Sequence, residues 1–599
     1  MNNHTLVRWV LLLAWVFVFP ACSDQTKQRP LAQKELDLVR GGECAYVISI
    51  PPNARSSRFA VSEIQRYIKS ISGAELPVNE GSTGMKVIAL GPLQGSEYQS
   101  FDEELGEDGY IVAKAGSRIQ LLGASPRAQL YAAYHFLEKY LGCGWTYPGQ
   151  DVIPKSKNIK LPAVIFDLEK PAFSYRALML FPYSLNRSLD DIDWMAKNRL
   201  NYAHVAVNSS REGPVLGLRL WEKHRSRETF IPELEKRGLS LHFGGHTYFV
   251  WVAPEKYFSE HPEYFSLIGG KRVPKSLCIS NAEVAKIAAE NMAQFVAANP
   301  ETDIIDFWIN DTNDWCECDE CKKMESVKRF TIEGGKVDSK SESALKFVNA
   351  VAKEFGTKHR NIMVNFLAYA RVIDAPIGVK PAPNVQVGYA PIGRAALLNK
   401  SNQPGLRSGY YSPLYDVDDR QNRAYLEEMN KWIALTQNFY MYDYYTPWQT
   451  LSSSRSKLKT RQMRFLPIVE TMGQDIWYYQ HLAIDGISTE QFDWPELDMY
   501  AYARLVWNPD QSVQGVIEDY CRKSYQSSEA PMLAHWLALN QAKGEWMNRR
   551  EECLGYVAKA RELTSDPTVL SRIDRIADIW KGRSADHPFR SIEPFPFDE

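Results

Sequence analysis

The sequence has almost no net charge: 70 lysines and arginines face 72 aspartates and glutamates, leaving −2 at pH 7 over 599 residues. That balance lacks the basic footprint of a nucleic-acid binder, so DNA and RNA are excluded as expected partners. Internal repeats are absent, as are low-complexity blocks beyond one short polar stretch near the N-terminus. No glycine-rich phosphate loop follows a first strand, which counts against a dinucleotide fold. No histidine and carboxylate pattern with an open ligand position is evident, so neither catalytic zinc nor any other cofactor for catalysis is expected. What is plentiful is aromatic: 12% of the chain, with 16 Trp and 31 Tyr. Such rings stack on sugars but also fill large cores, and the composition alone does not choose between the two.

The only long apolar run sits at the start. Arg8 precedes Trp9 to Phe19, followed by Pro20, Ala21 and Cys22. A positive residue, eleven apolar positions and then small residues describe a signal peptide, too short for a spanning helix. Ala21 before Cys22 resembles a bacterial lipobox, so residues 1–22 read as a lipoprotein signal with Cys22 lipidated. Residues 23–43, beginning "SDQTKQRP", read as a tether. The expectation is an exported lipoprotein, at the outer membrane or cell surface or in the periplasm; an ordinary signal peptide is the alternative.

A chain this long predicts two or three domains. Residues 44–165 read as a small α/β domain: "AYVISI" and "KVIAL" are strand-like, and "SSRFAVSEIQRYIKSISG" has helical spacing with a glycine stop. "GYIVAKAGSRIQLLGA" predicts a hairpin. The helix "SPRAQLYAAYHFLEKYLG" follows, capped by Ser125 and closed by Gly142. With Gly144 and Trp145 at the following positions, this phrase resembles the non-catalytic N-terminal domain of α-glucuronidases and β-hexosaminidases.

Residues 170–492 alternate short apolar strands with helical segments. The strands are "RALMLF", "YAHVAV", "LSLHFGG", "IIDFWIN", "IMVNFLAY", "VQVGYA", "FYMYDYY" and "AIDGIST". Eight such units predict a closed (β/α)8 TIM-like barrel rather than an open sheet. Residues 493–599 turn helical and predict a C-terminal α-helical extension; "WPELDMYAYARLVWNPD" resembles the corresponding segment of α-glucuronidase-like enzymes.

Barrel chemistry collects at the C-terminal ends of the strands. That rule selects His246 and Tyr248 after strand three, Asn310 and Asp311 after strand four, Asp443 and Tyr445 on strand seven, and Glu490 at the end of strand eight. Trp308 and Trp315 are candidate sugar contacts. Glycoside cleavage needs a proton for the leaving oxygen and stabilisation of an oxocarbenium-like centre. In a substrate-assisted scheme the sugar's 2-acetamido group is the nucleophile, with Asn310 orienting it and Asp311 as acid and then base. Two alternatives stay open: a direct two-carboxylate mechanism using Asp311 and Glu490, and a turn in which Asn310 and Asp311 only cap a loop.

"DWCECDECKK" adds Cys316, Cys318 and Cys321, with Cys278 in the preceding loop as an obvious fourth. Four thiolates could form a closed, structural zinc site; one or two disulfides are the alternative in an exported protein. The motif "WINDTNDWCECDECKK", with "FSLIGGKRVPKSLCISN" before it, resembles the DUF4838 family, which includes glycoside hydrolase family 163. The likeness runs from about residue 40 to residue 525. It implies an endo-β-N-acetylglucosaminidase cutting the chitobiose core of complex N-glycans in a gut Bacteroidetes-like setting, and it carries over Asn310, Asp311, the four cysteines and Glu490. The expected partner is therefore a glycan or glycoprotein. An exo-acting hexosaminidase or α-glucuronidase-like hydrolase and a non-catalytic surface glycan-binding protein remain as rivals.

Overall fold

The structure is a computed structural model that describes residues 35–51, 57–81, 86–180, 185–207, 226–332, 337–394, 412–416, 418–445, 468–482, 484–490, 496–542 and 548–581. Residues 1–22, expected to be a signal segment ending in Cys22, lie outside the described residues. No helix among those described is long and apolar enough to cross a membrane.

The N-terminal domain is built on a six-stranded sheet in the order Phe166–Glu169, Tyr110–Ala115, Arg118–Gly123, Val87–Pro92, Val47–Ile50, Val78–Glu80. Tyr110–Ala115 and Arg118–Gly123 form the expected antiparallel hairpin. Helix α1 (Arg58–Ser72) buries Ile64, Tyr67, Ile68 and Ile71, the three- and four-residue spacing of one helical face. It ends at Gly73, whose φ of 83° lets its N–H return to the Lys69 carbonyl. Helix α2 (Pro126–His135) starts on the Ser125 hydroxyl, which accepts from the Ala128 N–H, with Pro126 in the first turn. One boundary differs from expectation. Leu36–Arg40 pairs with Ile159–Leu161, so the last residues assigned to the tether are a strand of the folded domain.

Eight parallel strands then close into a barrel: β1 (Tyr175–Leu180), β2 (Tyr202–Ala206), β3 (Ser240–Gly244), β4 (Thr302–Asp306), β5 (Met363–Tyr369), β6 (Val385–Ala390), β7 (Phe439–Asp443) and β8 (Gly486–Glu490). Strands β1 and β6 are buried at every position, as expected where one face meets the barrel interior and the other a helix layer. The outer helices include α3 (Leu185–Lys197), α4 (Ser226–Arg237), α5 (Ala282–Ala298), α6 (Ser341–Gly356), α7 (Arg420–Ile433) and α8 (Val469–Tyr479). Between β5 and β6 there is no α-helix, only the 3-10 turn Ala370–Val372. Pro376, Pro381 and Pro383 in this connection lack the N–H groups a helix interior needs.

The C-terminal region is helical: α9 (Glu496–Trp507), α10 (Val513–Tyr525), α11 (Glu529–Ala542), α12 (Arg550–Glu562) and α13 (Pro567–Trp580). Helix α9 belongs to the barrel as the helix of its eighth unit. The Tyr502 hydroxyl reaches the carbonyls of Ala177 on β1 and Ile487 on β8, at 2.7 and 2.9 Å.

Buried charges weld the parts together. Arg176 of β1 is fully buried and donates to Asp108 of the N-terminal domain at 2.6 Å, while Asp108 also accepts from Arg127 at 2.6 Å. Glu138 meets Arg199 at 3.1 Å, Lys523 of α10 at 2.7 Å and Arg504 of α9. Burial raises the Glu138 carboxyl, but Arg504, Lys523 and Arg199 outweigh it and hold the group well below the usual range.

Candidate functional site

Inside the barrel the side chains alternate, and that parity sorts the sequence-selected residues. On β4, Asp306 faces inward, and Trp308 continues the same face just past the strand. Trp308 forms a buried floor, its Nε1 donating to Asn365 of β5 at 2.7 Å and its ring edge-on to Tyr442 of β7 at 5.6 Å. Strand β4 ends at Asp306, short of the run "IIDFWIN", with one further rung from the Phe307 N–H to the Asn365 carbonyl. Asn310 and Asp311 therefore sit on the loop beyond the strand. The Thr312 N–H returns to the Asn310 carbonyl at 2.7 Å, a tight turn about Asp311. Asn310 is buried and Asp311 exposed, and the Tyr369 hydroxyl, at the end of β5, donates to Asp311 Oδ1 at 3.1 Å.

Across the mouth, half-buried Glu490 closes β8, and the Tyr442 hydroxyl lies 2.9 Å from its Oε1. Strands β4 and β8 are four places apart in a closed ring of eight, so the two carboxylates rise from opposite walls. On the Asp311 side His246 packs edge-on to Trp308 at 5.6 Å and tilts against Tyr369 at 5.7 Å. His246 Nδ1 lies 2.5 Å from the Ile309 carbonyl, which places the ring proton on that nitrogen. Tyr444, beside Tyr442, completes an aromatic wall. Such a mouth sets an exposed and a half-buried carboxylate over buried rings, and carboxylates are groups that a polyhydroxylated ligand can meet.

Four sequence-selected residues lie elsewhere or are covered. Asp443 has the opposite parity to Tyr440 and Tyr442 and points into the helix layer. There it is fully buried beside Arg394 at 3.6 Å and accepts from the Tyr479 hydroxyl of α8 at 2.9 Å. The same arginine pairs with Asp475 at 2.8 Å. Burial pushes the Asp475 carboxyl up to about 6, Arg394 opposing and Asp443 reinforcing the rise. Tyr445 shares the outward parity and is buried 6.2 Å from Tyr502 of α9. Tyr248 packs against Phe307 at 4.7 Å and Phe347 of α6 at 5.7 Å, behind the barrel wall. Trp315 is half-buried, and Arg371 lies 5.7 Å over its ring, so that face is taken.

The sequence reading missed Tyr369 and Tyr442, although strict alternation along "FYMYD" would have turned Tyr442 inward in place of Asp443. It also missed a buried triad on consecutive strands. His204 of β2 and His242 of β3 stack at 3.8 Å, and each Nε2 lies 2.7 Å from one oxygen of Asp306. Burial lowers His242 to about 4, with His204 adding to the fall and Asp306 opposing it, so the ring is neutral. Its Nε2–H then donates to Asp306, and Nδ1 accepts from the Tyr175 hydroxyl at 2.7 Å. The triad has metal-type donors, but these hydrogen bonds occupy them, and it lies beneath the mouth as a support. The four cysteines are brought together beside the Asp311 loop.

Comparison with known proteins agrees with this architecture. A family model described as Glycosyl hydrolase family 67 N-terminus matches residues 42–136. Among solved structures, a family GH115 4-O-methyl-α-glucuronidase with specificity for decorated arabinogalactans superposes with a TM-score of 0.56 at 12% identity, covering 91% of this chain and 71% of its own. The N-acetyl-β-hexosaminidase of Streptomyces plicatus gives 0.51 at 12% identity, covering 82% of this chain and 91% of its own. The β-N-acetylhexosaminidase of Bacteroides fragilis gives 0.51 at 13%, covering 84% and 95%. These likenesses establish a glycoside-hydrolase-like fold. No curated protein matches the sequence. The model of the domain of unknown function DUF4838 covers residues 145–538, the barrel with most of its C-terminal helices, and the chain belongs to that family.

Proposed function

We propose that the protein is a glycoside hydrolase, an endo-β-N-acetylglucosaminidase that cuts the chitobiose core of complex N-glycans with retention of configuration. The observation that carries the hydrolase reading is the mouth itself: Asp311 and Glu490, each beside a tyrosine hydroxyl, rise on opposite sides of an aromatic floor. The finer reading rests on Asn310 and Asp311 being successive residues, one buried and one exposed.

In this scheme Asn310 holds the 2-acetamido group so that its carbonyl oxygen attacks C1. The C1–O bond breaks, and the leaving oxygen takes the Asp311 proton. Water then adds to C1 and returns a proton to Asp311, reopening the ring formed by the acetamide. Glu490 and Tyr442 bind the sugar from the opposite wall. Glu490's place beside Tyr442 also favours a second reading, in which Glu490 is the nucleophile of a direct two-carboxylate mechanism.

Incubation with a panel of intact N-glycoproteins, read by mass spectrometry, tests the function. Release of glycans that leave one N-acetylglucosamine on the protein is expected. Removal of terminal sugars alone would assign an exo-hydrolase, and tight binding without any release would assign a glycan-binding protein. A thiazoline analogue of the cyclised intermediate is expected to inhibit strongly. A sugar ester trapped on Glu490 by a fluorosugar would establish the second mechanism instead. We also propose that Cys22 carries lipid: Cys22→Ala is expected to abolish detergent partitioning, and unchanged partitioning would refute the anchor.

A further inference from the structure

We propose that Cys278, Cys316, Cys318 and Cys321 hold one zinc ion that ties the loop after β3 to the loop carrying Asn310 and Asp311. The four sulfurs lie within 4.8 Å of one another, with Cys278 at 3.7 Å from Cys318 and 3.9 Å from Cys321. A tetrahedral zinc with Zn–S bonds of about 2.3 Å puts its sulfurs about 3.8 Å apart. A disulfide needs about 2.05 Å. The observed separations are those of ligands around a shared ion.

The surroundings suit thiolates. The Leu267 N–H donates to Cys316 Sγ at 3.3 Å and the Cys321 N–H to Cys318 Sγ at 3.5 Å. The Ser280 hydroxyl lies 3.1 Å from Cys321 Sγ and 3.6 Å from both Cys278 and Cys318. Arg272 reaches to 3.8 Å from Cys316 Sγ, a cation beside a centre whose four thiolates and one dication sum to −2. Cys278 and Cys321 are buried and the other two half-buried, so an ion among them is shielded. Four sulfurs fill a tetrahedral zinc, leaving no position for water, so the role is mechanical.

What the ion holds is clear from its neighbours. Cys278 follows the hairpin Phe265–Ile268 with Lys271–Leu277, and Cys316 to Cys321 follow Asp311 within ten residues. Two further hydrogen bonds repeat the link: Glu317 N–H to the Leu267 carbonyl at 2.7 Å, and Gly269 N–H to the Glu317 carboxylate Oε2 at 2.9 Å. Without the ion, four thiols would remain where a clamp is needed, and the two loops would lose their strongest tie.

The site can be measured without substrate, so its failure is distinguishable from failure of the hydrolase reading. Full-length protein, purified without added metal or chelator, is expected to contain about one zinc per chain by elemental analysis. Titration of the thiols with a mercurial should release that zinc to a metallochromic dye. Exchange with Co²⁺ should give the thiolate-to-cobalt charge-transfer absorption of a four-sulfur site. Cys278→Ser and Cys316→Ser should each lower the bound metal several-fold. Should either variant fail to fold, the wild-type measurements alone decide. Metal-free protein with all four thiols reduced, or a disulfide among these four cysteines by peptide mapping, overturns the site; iron in place of zinc overturns the choice of ion.

Discussion

Asp311 is the exposed member of a pair whose other half is buried, and its carboxylate is held by one phenol. As the acid of the proposed reaction, its replacement should slow the step that needs a proton. Asp311→Asn is expected to lower kcat by about 10²–10⁴-fold on natural glycans, and by much less on aryl glycosides whose leaving group needs no proton. Steady-state rates on both substrate types check this; equal losses would remove Asp311 from the acid role. Tyr369→Phe deletes only the hydroxyl on Asp311, so a smaller loss of kcat is expected, greater on natural glycans than on aryl glycosides. On the opposite wall, Glu490→Gln should chiefly raise KM if the substrate's own acetamide attacks. A collapse of kcat below detection would instead favour the two-carboxylate mechanism.

Strand β3 ends at Gly244, where φ is 142°, a backbone that side-chain-bearing residues rarely adopt. A Cβ built there would fall 2.4 Å from the Asp306 Cβ, on the neighbouring strand. The close approach lets the chain turn toward His246 while His242 stays against Asp306. Gly244→Ala should therefore cost about 1–3 kcal/mol, from strain and from displacing the triad. Chemical denaturation measures it, and an unchanged midpoint would mean that the strand end relaxes freely. Alternation also explains why the end of β7 was misread. A carboxylate at a strand end draws attention to itself, yet its neighbour one residue back holds the inward position. The phenol of Tyr442 therefore reaches Glu490, while Asp443 is neutralised by Arg394 in the helix layer.

The domains are joined through Glu138, which serves Arg199, Lys523 and Arg504 at once. Removing one partner of a buried ionic group leaves the others uncompensated, so Glu138→Ala is expected to destabilise by about 3–5 kcal/mol. Glu138 titrates well below its ordinary value, so its contribution is intact above about pH 4.5 and is lost as pH falls through the lower folded value. His242, at about 4, and His535, at about 3, are both lowered by burial from 6.5. At these two rings the unfolded chain takes up protons first, which lowers stability as pH drops from 6.5 toward 4, while Asp475 and Asp485, raised by burial to about 6, take theirs up first in the folded chain and oppose that fall. Imidazole NMR titration separates the two effects: His242 is expected to stay neutral down to about pH 4, and a midpoint near 6.5 would contradict the neutral, buried ring.

The sequence by itself determined the eight barrel strands, the N-terminal hairpin and the helical C-terminus, because apolar period and strand-to-helix order are local properties of the chain. It also determined the composition of the site region, since the carboxylates at strand ends and the cysteine cluster are visible as spacing. Only the tertiary structure decided which of those residues share a space. Helix α9 joins the barrel through a tyrosine that reaches β1 across more than three hundred residues, and no local pattern announces that. Tyr248 and Tyr445 went to the outer layer and Tyr369 to the mouth for the same reason. The inward or outward sense of a side chain is fixed by strand register and by where the ladder stops, and those depend on neighbours far away in sequence.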